Sequence, residues 1–365
     1  MNNSHIDHLK AKVLLLLQQL IAIPSLSKLE NETAICIASF FNATEIPHHR
    51  YGNNVWVTNK YFDRYKPSIL LNSHHDTVPA NAAFTRNPYE PAIIDGKLYG
   101  LGSTDAGASL VSLLACFLYY YEQRDMLFNI VFAATAEEEI SGNNGIGALF
   151  AQPDFKDCFA APASFAIVGE PTQLQLAIAE KGLLVLDCTT TGKSGHAARN
   201  EGENALYKAM DAIQWFRTYQ FADVSPFLGP VKMTVTSINT MNRSHNIIPE
   251  QCTFVVDIRL NELYSHEKVL EMIQQHLGVT VTPRSTRIRS SAISAEHPVV
   301  KAGVAMGKNV FGSPTTSDKA LIPLPTLKAG PGFSAQSHSA DEFVLLKDLN
   351  EGIEFYIQLL EKLLK

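Results

Sequence analysis

Histidines and carboxylates gather in five short segments of this chain. They are Ser73-His74-His75-Asp76, Ser103-Thr104-Asp105, Glu137-Glu138-Glu139, Gly169-Glu170-Pro171 and Ser337-His338-Ser339. Imidazole with carboxylate is the donor set of catalytic zinc or a similar first-row ion. Brought together, such donors would hold two metal ions, and the chemistry of a two-metal site is hydrolysis by an activated water. Each segment sits where an apolar, strand-like run gives way to polar residues, and an α/β sheet carries its chemistry at the carboxyl ends of its strands.

Taken singly, the segments leave alternatives open. His74 and Asp76 form an H-x-D whose side chains point the same way on an extended chain. A histidine that binds metal usually gives its other N–H to a carboxylate, so Asp76 is a partner for His74; a surface turn is the other reading. His75 points to the opposite side. Asp105 opens an apolar helix, where aspartate is also a common N-cap. Three adjacent glutamates, Glu137 to Glu139, follow a buried strand directly. A solvated loop would explain them, and so would a ligand with a free general base beside it. Pro171 biases Glu170 to an extended backbone. His338 lies in a Gly-rich loop before the last helix, which Asp341 or Glu342 could cap. Gly192-Lys193-Ser194-Gly195-His196-Ala197 is a sixth segment, readable as a surface turn.

The elements that must position these residues alternate. Two helices are predicted over residues 5–41, strands at Val55-Trp56-Val57 and Ile69-Leu70-Leu71, and a loop from Asn81 to Pro91. A helix follows over residues 106–121, then apolar strands over 128–135 and 165–168. This pattern predicts an α/β fold with a mostly parallel sheet covered on both faces. From Gly182 the order becomes strand, helix, two strands, helix, strand. That is the split βαβ, ferredoxin-like pattern. The expected division is residues 1–180, an inserted domain over 181–291, and 292–365, ending in a helix over about 345–364.

Bulk properties exclude several classes. With 365 residues the chain is too long for one simple core. Its formal net charge is -6 and it has no basic stripe, which argues against nucleic acid. No apolar run reaches the ~20 residues of a membrane span, and Leu14 to Leu17 lies in a helical pattern rather than a signal peptide. The five cysteines are scattered without CxxC spacing, as in a reduced cytoplasmic protein.

Together the segments resemble the di-zinc amidohydrolase and peptidase family of aminoacylase, carboxypeptidase G, succinyl-diaminopimelate desuccinylase and acetylornithine deacetylase. The likeness spans nearly the whole chain. It implies the zinc-peptidase fold, with two Zn2+ for which Co2+ can substitute. His74 and Glu170 would hold one ion, Glu139 and His338 the other, and Asp105 would bridge them. Asp76 would orient His74. Ala134-Thr135-Ala136-Glu137-Glu138-Glu139 is similar to the family's A-T-A-D-E-E, which makes Glu138 the general base; a one-residue slip would move base and ligand to Glu137 and Glu138. The family's helix-opening Arg and downstream Lys-Gly are replaced here by Leu101 and Gly107-Ala108-Ser109. The inserted domain would be a lid that also makes a homodimer. His196 resembles the lid histidine that polarises the scissile carbonyl, in cis or from the partner subunit. Asn246 and Arg259 resemble positions that hold the substrate carboxylate, and pairing with Asp257 is the other reading of Arg259.

The resemblance implies hydrolysis of the amide of a small N-acyl amino acid. Ser73-His74-His75-Asp76-Thr77-Val78-Pro79 looks most like acetylornithine deacetylases of arginine synthesis, with acetylcitrulline or succinylornithine as related substrates. Succinyl-diaminopimelate desuccinylase and a small di- or aminopeptidase are the alternatives within the family. A binding protein that kept the fold and lost the chemistry is the reading from a different class. A nucleotide-binding α/β protein is weaker, because no GxGxxG or GxxxxGK[ST] follows a strand.

Overall fold

The computed structural model describes residues 3–199 and 201–365. The chain forms two compact units. One comprises Met1–Ile178, Ala292–Phe311 and Ser317–Lys365; the other comprises Ala179–Ser291 and Gly312–Thr316.

The first unit is built on a twisted sheet whose four central strands are parallel, in the order Asn129–Thr135, Ser68–His74, Phe165–Val168 and Thr326–Lys328. Antiparallel strands extend it on both sides, Asn54–Thr58 with His49–Tyr51 on one and Leu176–Glu180 on the other. The central strands are buried throughout, which is why they read as unbroken apolar runs instead of alternating ones. Their side chains still divide by parity. Ile69, Leu71, Ile130, Phe132, Phe165 and Ile167 join one core. Leu70, Val131, Ala133, Ala166 and Val168 join another with Trp56, Ile146 and Phe155 on the opposite face.

The first core is covered by helices Asn3–Ile21, Asn31–Ala43, Ser109–Tyr120 and Leu346–Leu364. Ser109–Tyr120 is apolar on nearly all sides and ten of its twelve residues are buried, as expected of a helix enclosed between a sheet and other helices. It starts later than its sequence pattern predicts. Ser103–Ala108 forms a wider turn, in which Asp105 departs from helical geometry (φ -108°, ψ 98°). The Asp105–Ala106 peptide bond is cis.

A small antiparallel ribbon was not foreseen. It joins Ala92–Ile94, Lys97–Tyr99 and Phe343–Leu345. The expectation that Asp341 or Glu342 caps the last helix is corrected by this ribbon. The helix begins at Leu346 behind the ribbon strand, and its N-cap, Leu345, makes no side-chain cap. Asp341 instead accepts from Thr85 N, Thr85 Oγ1 and Arg86 N.

In the second unit a four-stranded antiparallel sheet runs Lys232–Asn239, Gln251–Leu260, Gly182–Thr191, Thr280–Pro283. Helices Ala205–Thr218 and His266–His276 complete the βαββαβ order. Leu184, Leu186 and Cys188 alternate inward, as do Phe254, Val256 and Ile258, against Ala209, Phe216, Val269 and Ile273 of the helices. Asn204 and Ser265 cap the two helices by accepting from Leu206 N and Lys268 N.

All five cysteines are free thiols. Among the described residues no helix is long and apolar enough to cross a membrane.

Candidate metal centre

Four elements of the first unit, with the loop that carries His338, bring the predicted metal ligands to one place. His74 ends one central strand, and Asp76 follows it. Glu138 and Glu139 follow the neighbouring strand, Glu170 follows the third, and Asp105 sits in the wide turn before the buried helix. Parallel strands end together, so His74 meets Glu138, 64 positions later, and Glu170, 96 positions later, at the carboxyl ends of the strands.

His74 Nε2 lies 3.2 Å from Asp105 Oδ1, 3.7 Å from Glu170 Oε1 and 3.8 Å from Glu138 Oε2. His338 Nε2 lies 3.0 Å from Glu139 Oε2 and 3.5 Å from Asp105 Oδ2. Two trios of donor atoms result, His74–Asp105–Glu170 and Asp105–Glu139–His338, each with its atoms within 4.8 Å of one another. Asp105 belongs to both.

The hydrogen bonding around His74 tests whether a cation fits. His74 Nδ1 lies 3.0 Å from the Asp76 carbonyl oxygen, which can only accept. Nδ1 therefore carries a proton, which leaves Nε2 as the ring atom that faces the carboxylate oxygens. Acceptors facing one another at this distance need a proton or a cation between them. The ring pKa shows the same demand. Burial alone would lower it, but the carboxylates of Glu138, Asp105, Asp76 and Glu170 override burial and raise it well above the usual range. Two imidazoles and several carboxylates sharing one aspartate form a donor set suited to two first-row divalent ions.

Asp76 is buried and fully engaged. It accepts from Glu138 N (3.1 Å), Glu139 N (3.2 Å) and Ser27 Oγ (2.7 Å), and its Oδ1 lies 3.4 Å from His74 Nδ1. Burial raises its pKa, but the hydrogen bond from His74 prevails and the net shift is downward. This carboxylate lies beside the His74 ring and holds the backbone of the glutamate pair. Glu137 is used elsewhere. It accepts from Asn144 N and Nδ2 with a left-handed backbone (φ 56°). Only glycine fits at 142 beside it, since a Cβ there would meet Glu137 Oε2 at 2.0 Å. Glu138 and Glu139 are then left to face the histidines. Burial, followed by the charges of Glu170, Asp318 and Glu139, pushes the Glu138 carboxyl well up against the opposing pull of His74. Glu139 rises to about 6, mainly by burial.

His75 is buried on the other side of its strand, with Nδ1 on Thr33 Oγ1 and Nε2 on the Asn53 carbonyl. His196, Asn246 and Arg259 belong to the second unit. His196 is exposed on the short strand Gly195–His196, where its Nδ1 accepts from Ala198 N. Asn246 precedes the paired strand Ile247–Ile248. Arg259 makes a two-pronged ion pair with Asp257, at 2.8 and 3.1 Å.

The sequence assigned three neighbours no part in the metal centre. Ser337 Oγ donates to Asp105 Oδ2 in a very short contact. Buried Asp318 accepts from Thr135 Oγ1 at 2.6 Å, just before the glutamates. Buried Glu342 accepts from the turn that carries Asp105. None lies on a periodic pattern, and Ser337 beside His338 was the one sequence signal available.

The family described as peptidase family M20/M25/M40 matches residues 70–362. Succinyl-diaminopimelate desuccinylase 2 of Ruegeria sp. is 29% identical over 235 residues, which cover 60% of this chain and 59% of that protein. Succinyl-diaminopimelate desuccinylase of Rickettsia bellii is 27% identical over 338 residues, covering 85% of each. Among solved structures, aminopeptidase PepT of Bacillus cereus superposes with a TM-score of 0.75 at 16% identity, covering 97% of this chain and 98% of that one. YxeP of Bacillus subtilis, described as a dinuclear metal-binding peptidase, gives 0.71 at 14% identity and 97% of both chains. These structural likenesses establish the α/β fold with its mostly parallel sheet.

Proposed function

Because the chain belongs to peptidase family M20/M25/M40, we propose that it is a metal-dependent amidohydrolase that removes the acyl group from a small N-acyl amino acid. The observation that carries this reading is the pair of donor trios sharing Asp105, with the Glu138 carboxyl beside them. In this reading His74 and Glu170 would hold one ion, zinc by our proposal, Glu139 and His338 would hold the other, and Asp105 would serve both.

When bound, the ions would make a water acidic near neutral pH and polarise the scissile carbonyl. The chain's own residues do the rest. Glu138 takes the proton from the attacking water as its oxygen bonds to the carbonyl carbon. It returns that proton to the amine nitrogen as the C–N bond breaks, giving a free amine and a carboxylic acid that loses its remaining proton to solvent. Asp76 keeps the His74 ring and the Glu138 backbone in place during the transfer. His196 is the proposed donor to the oxyanion, and Asn246 and Arg259 are the proposed contacts to the substrate carboxylate.

The substrate we propose first is an N-succinyl amino acid of the succinyl-diaminopimelate type. Its support is the name carried by the Ruegeria and Rickettsia relatives. The sequence motifs favoured an arginine-synthesis substrate, which neither the Ruegeria nor the Rickettsia relative is named for. A homodimer through the second unit is part of the proposal, since strand Lys232–Asn239 is largely exposed at a sheet edge; sedimentation or light scattering reads it.

The test is amine release from N-succinyl-diaminopimelate, N-acetylornithine, N-acetylcitrulline, N-succinylornithine and a dipeptide, with zinc or cobalt and after chelation. Metal-dependent release from the succinylated substrate is expected. Release that survives chelation would overturn the mechanism, and release from acetylornithine alone would overturn the substrate.

A further inference from the structure

We propose that Glu342 is the positioning residue of the metal centre: it fixes Asp105 and thereby sets both metal positions at once. This rests on the reading of the site given above. The Glu342 side chain is 1% exposed. Its Oε1 accepts from Thr104 N (2.8 Å) and Asp105 N (3.0 Å), and its Oε2 accepts from Gly102 N (2.9 Å). Its carbonyl oxygen accepts from Gly100 N (3.0 Å). One residue thus satisfies four N–H groups of the stretch that leads to Asp105.

That stretch holds itself only in part: Ser103 N donates to Gly100 O (3.1 Å) and Gly107 N to Gly102 O (3.0 Å), while the N–H groups of Gly102, Thr104 and Asp105 go to Glu342. Asp105 has a non-helical backbone, and its N–H has no place in the helical ladder that follows. Gly102 adopts φ +76°, and a Cβ there would meet Thr77 Cγ2 at 2.8 Å. The turn is therefore tight and depends on an outside acceptor.

Glu342 comes from the same segment as His338. Ser337 Oγ donates to the Asp105 carboxylate, His338 Nε2 lies 3.5 Å from it, and Glu342 grips its backbone. Pairing of Phe343 with Tyr99 and the bond from Thr104 Oγ1 to Phe343 O (2.7 Å) lock the two segments in register. A ligand of one ion and the bridge between both are thereby held as one piece.

Glutamine at 342 would keep the volume but present only one accepting oxygen to these N–H groups, its other arm being a donor. Partners of metal ligands typically change affinity by about 10–100-fold when removed. Glu342→Gln should therefore weaken both cobalt-binding steps by about that factor, read by titration of the visible cobalt spectrum, and lower kcat more than it raises KM. Because Asp105 is shared, the two steps should weaken together. Asp341→Asn, which unties Thr85 and Arg86 instead, should bind cobalt within about two-fold of wild type.

A folded Glu342→Gln protein that binds two cobalt ions as tightly as wild type would overturn the proposal. So would equal weakening in Asp341→Asn, which would mean that any tether of the segment serves. Should Glu342→Gln not fold, Glu342→Asp takes its place, with shortened reach and at least about three-fold weaker cobalt binding expected. Wild-type affinity there would be equally fatal. Cobalt binding is read without substrate, so an error in the substrate leaves the test intact. A wild-type chain that takes up no metal would instead sink the functional reading.

Discussion

Acid should destabilise the first unit through one buried imidazole that never touches the proposed chemistry. His75 is 7% exposed, its Nε2–H donates to the Asn53 carbonyl at 2.8 Å, and its Nδ1 meets Thr33 Oγ1 at 2.9 Å. Burial lowers its pKa from 6.5 to about 4. In the unfolded chain the ring takes up a proton near pH 6.5; in the folded protein it stays neutral until about pH 4. The unfolded state therefore binds more protons between those values, and stability falls as the pH falls across them. At about 1.4 kcal/mol per pH unit, the full window is worth about 3 kcal/mol, of which about 2 kcal/mol is lost between pH 7 and 4.5. His75→Gln keeps a donor for Asn53 and removes the titration. The assay is urea unfolding of chelator-treated protein at several pH values, followed by Trp56 fluorescence in a Trp215→Phe background so that the first unit alone reports. Wild type should lose about 2 kcal/mol more than His75→Gln over that range. Equal losses in the two proteins would refute the argument that burial holds this ring neutral.

Three other outcomes are expected. Glu138→Ala should cost about 10²–10⁴-fold in kcat while both metals remain bound by elemental analysis; near-normal turnover would remove Glu138 from the mechanism. Phe117→Ala should cost about 3–5 kcal/mol in chemical unfolding, because the ring is fully buried and lies 6.1 Å from Phe132; a loss under about 1 kcal/mol would mean the core collapses to fill the gap. The Glu267 carboxyl is held down to about 2, chiefly by the Arg289 fork. Its stabilising effect is thus present above 4.5 and lost as the pH falls toward 2. In Arg289→Gln its carbon NMR titration should move up toward 4.5, and an unmoved titration would exclude Arg289 as the cause.

The central sheet was legible because parallel, doubly buried strands leave unbroken apolar runs, and the residue after each run is placed at a common edge. Ile69-Leu70-Leu71 leading to His74, and 165–168 leading to Glu170, are such cases. The second unit was legible from alternation, as in Gly182–Thr191. What escaped depends on contacts that carry no period. The ribbon Ala92–Ile94, Lys97–Tyr99, Phe343–Leu345 has three-residue strands, too short to show a pattern. Asp341 and Glu342 sit where helix caps would be expected, yet they bind backbone groups about 240 to 256 positions earlier. Ser27 on Asp76 is another such pairing. Asp105 was ambiguous between cap and ligand, since an N-cap and a bridging carboxylate look alike in one dimension. The acyl group was least legible, because the motifs that hold metal ions are blind to what the substrate carries.

The order of strands in the first unit has a consequence for biosynthesis. Thr326–Lys328 pairs with Phe165–Val168, so a sheet begun early in translation waits for a strand made about 160 residues later. The second unit is almost continuous, Ala179–Ser291, and its strands and helices emerge together from the ribosome. It can fold while the first unit is still missing its last parallel strand, its C-terminal helix and His338. Domains generally fold as units during synthesis, and here the unit that starts second is the one that can finish first. Until the segment carrying Thr326–Lys328 is released, the nascent chain exposes one side of the strand Phe165–Val168, and this interval is where a chaperone would be needed most.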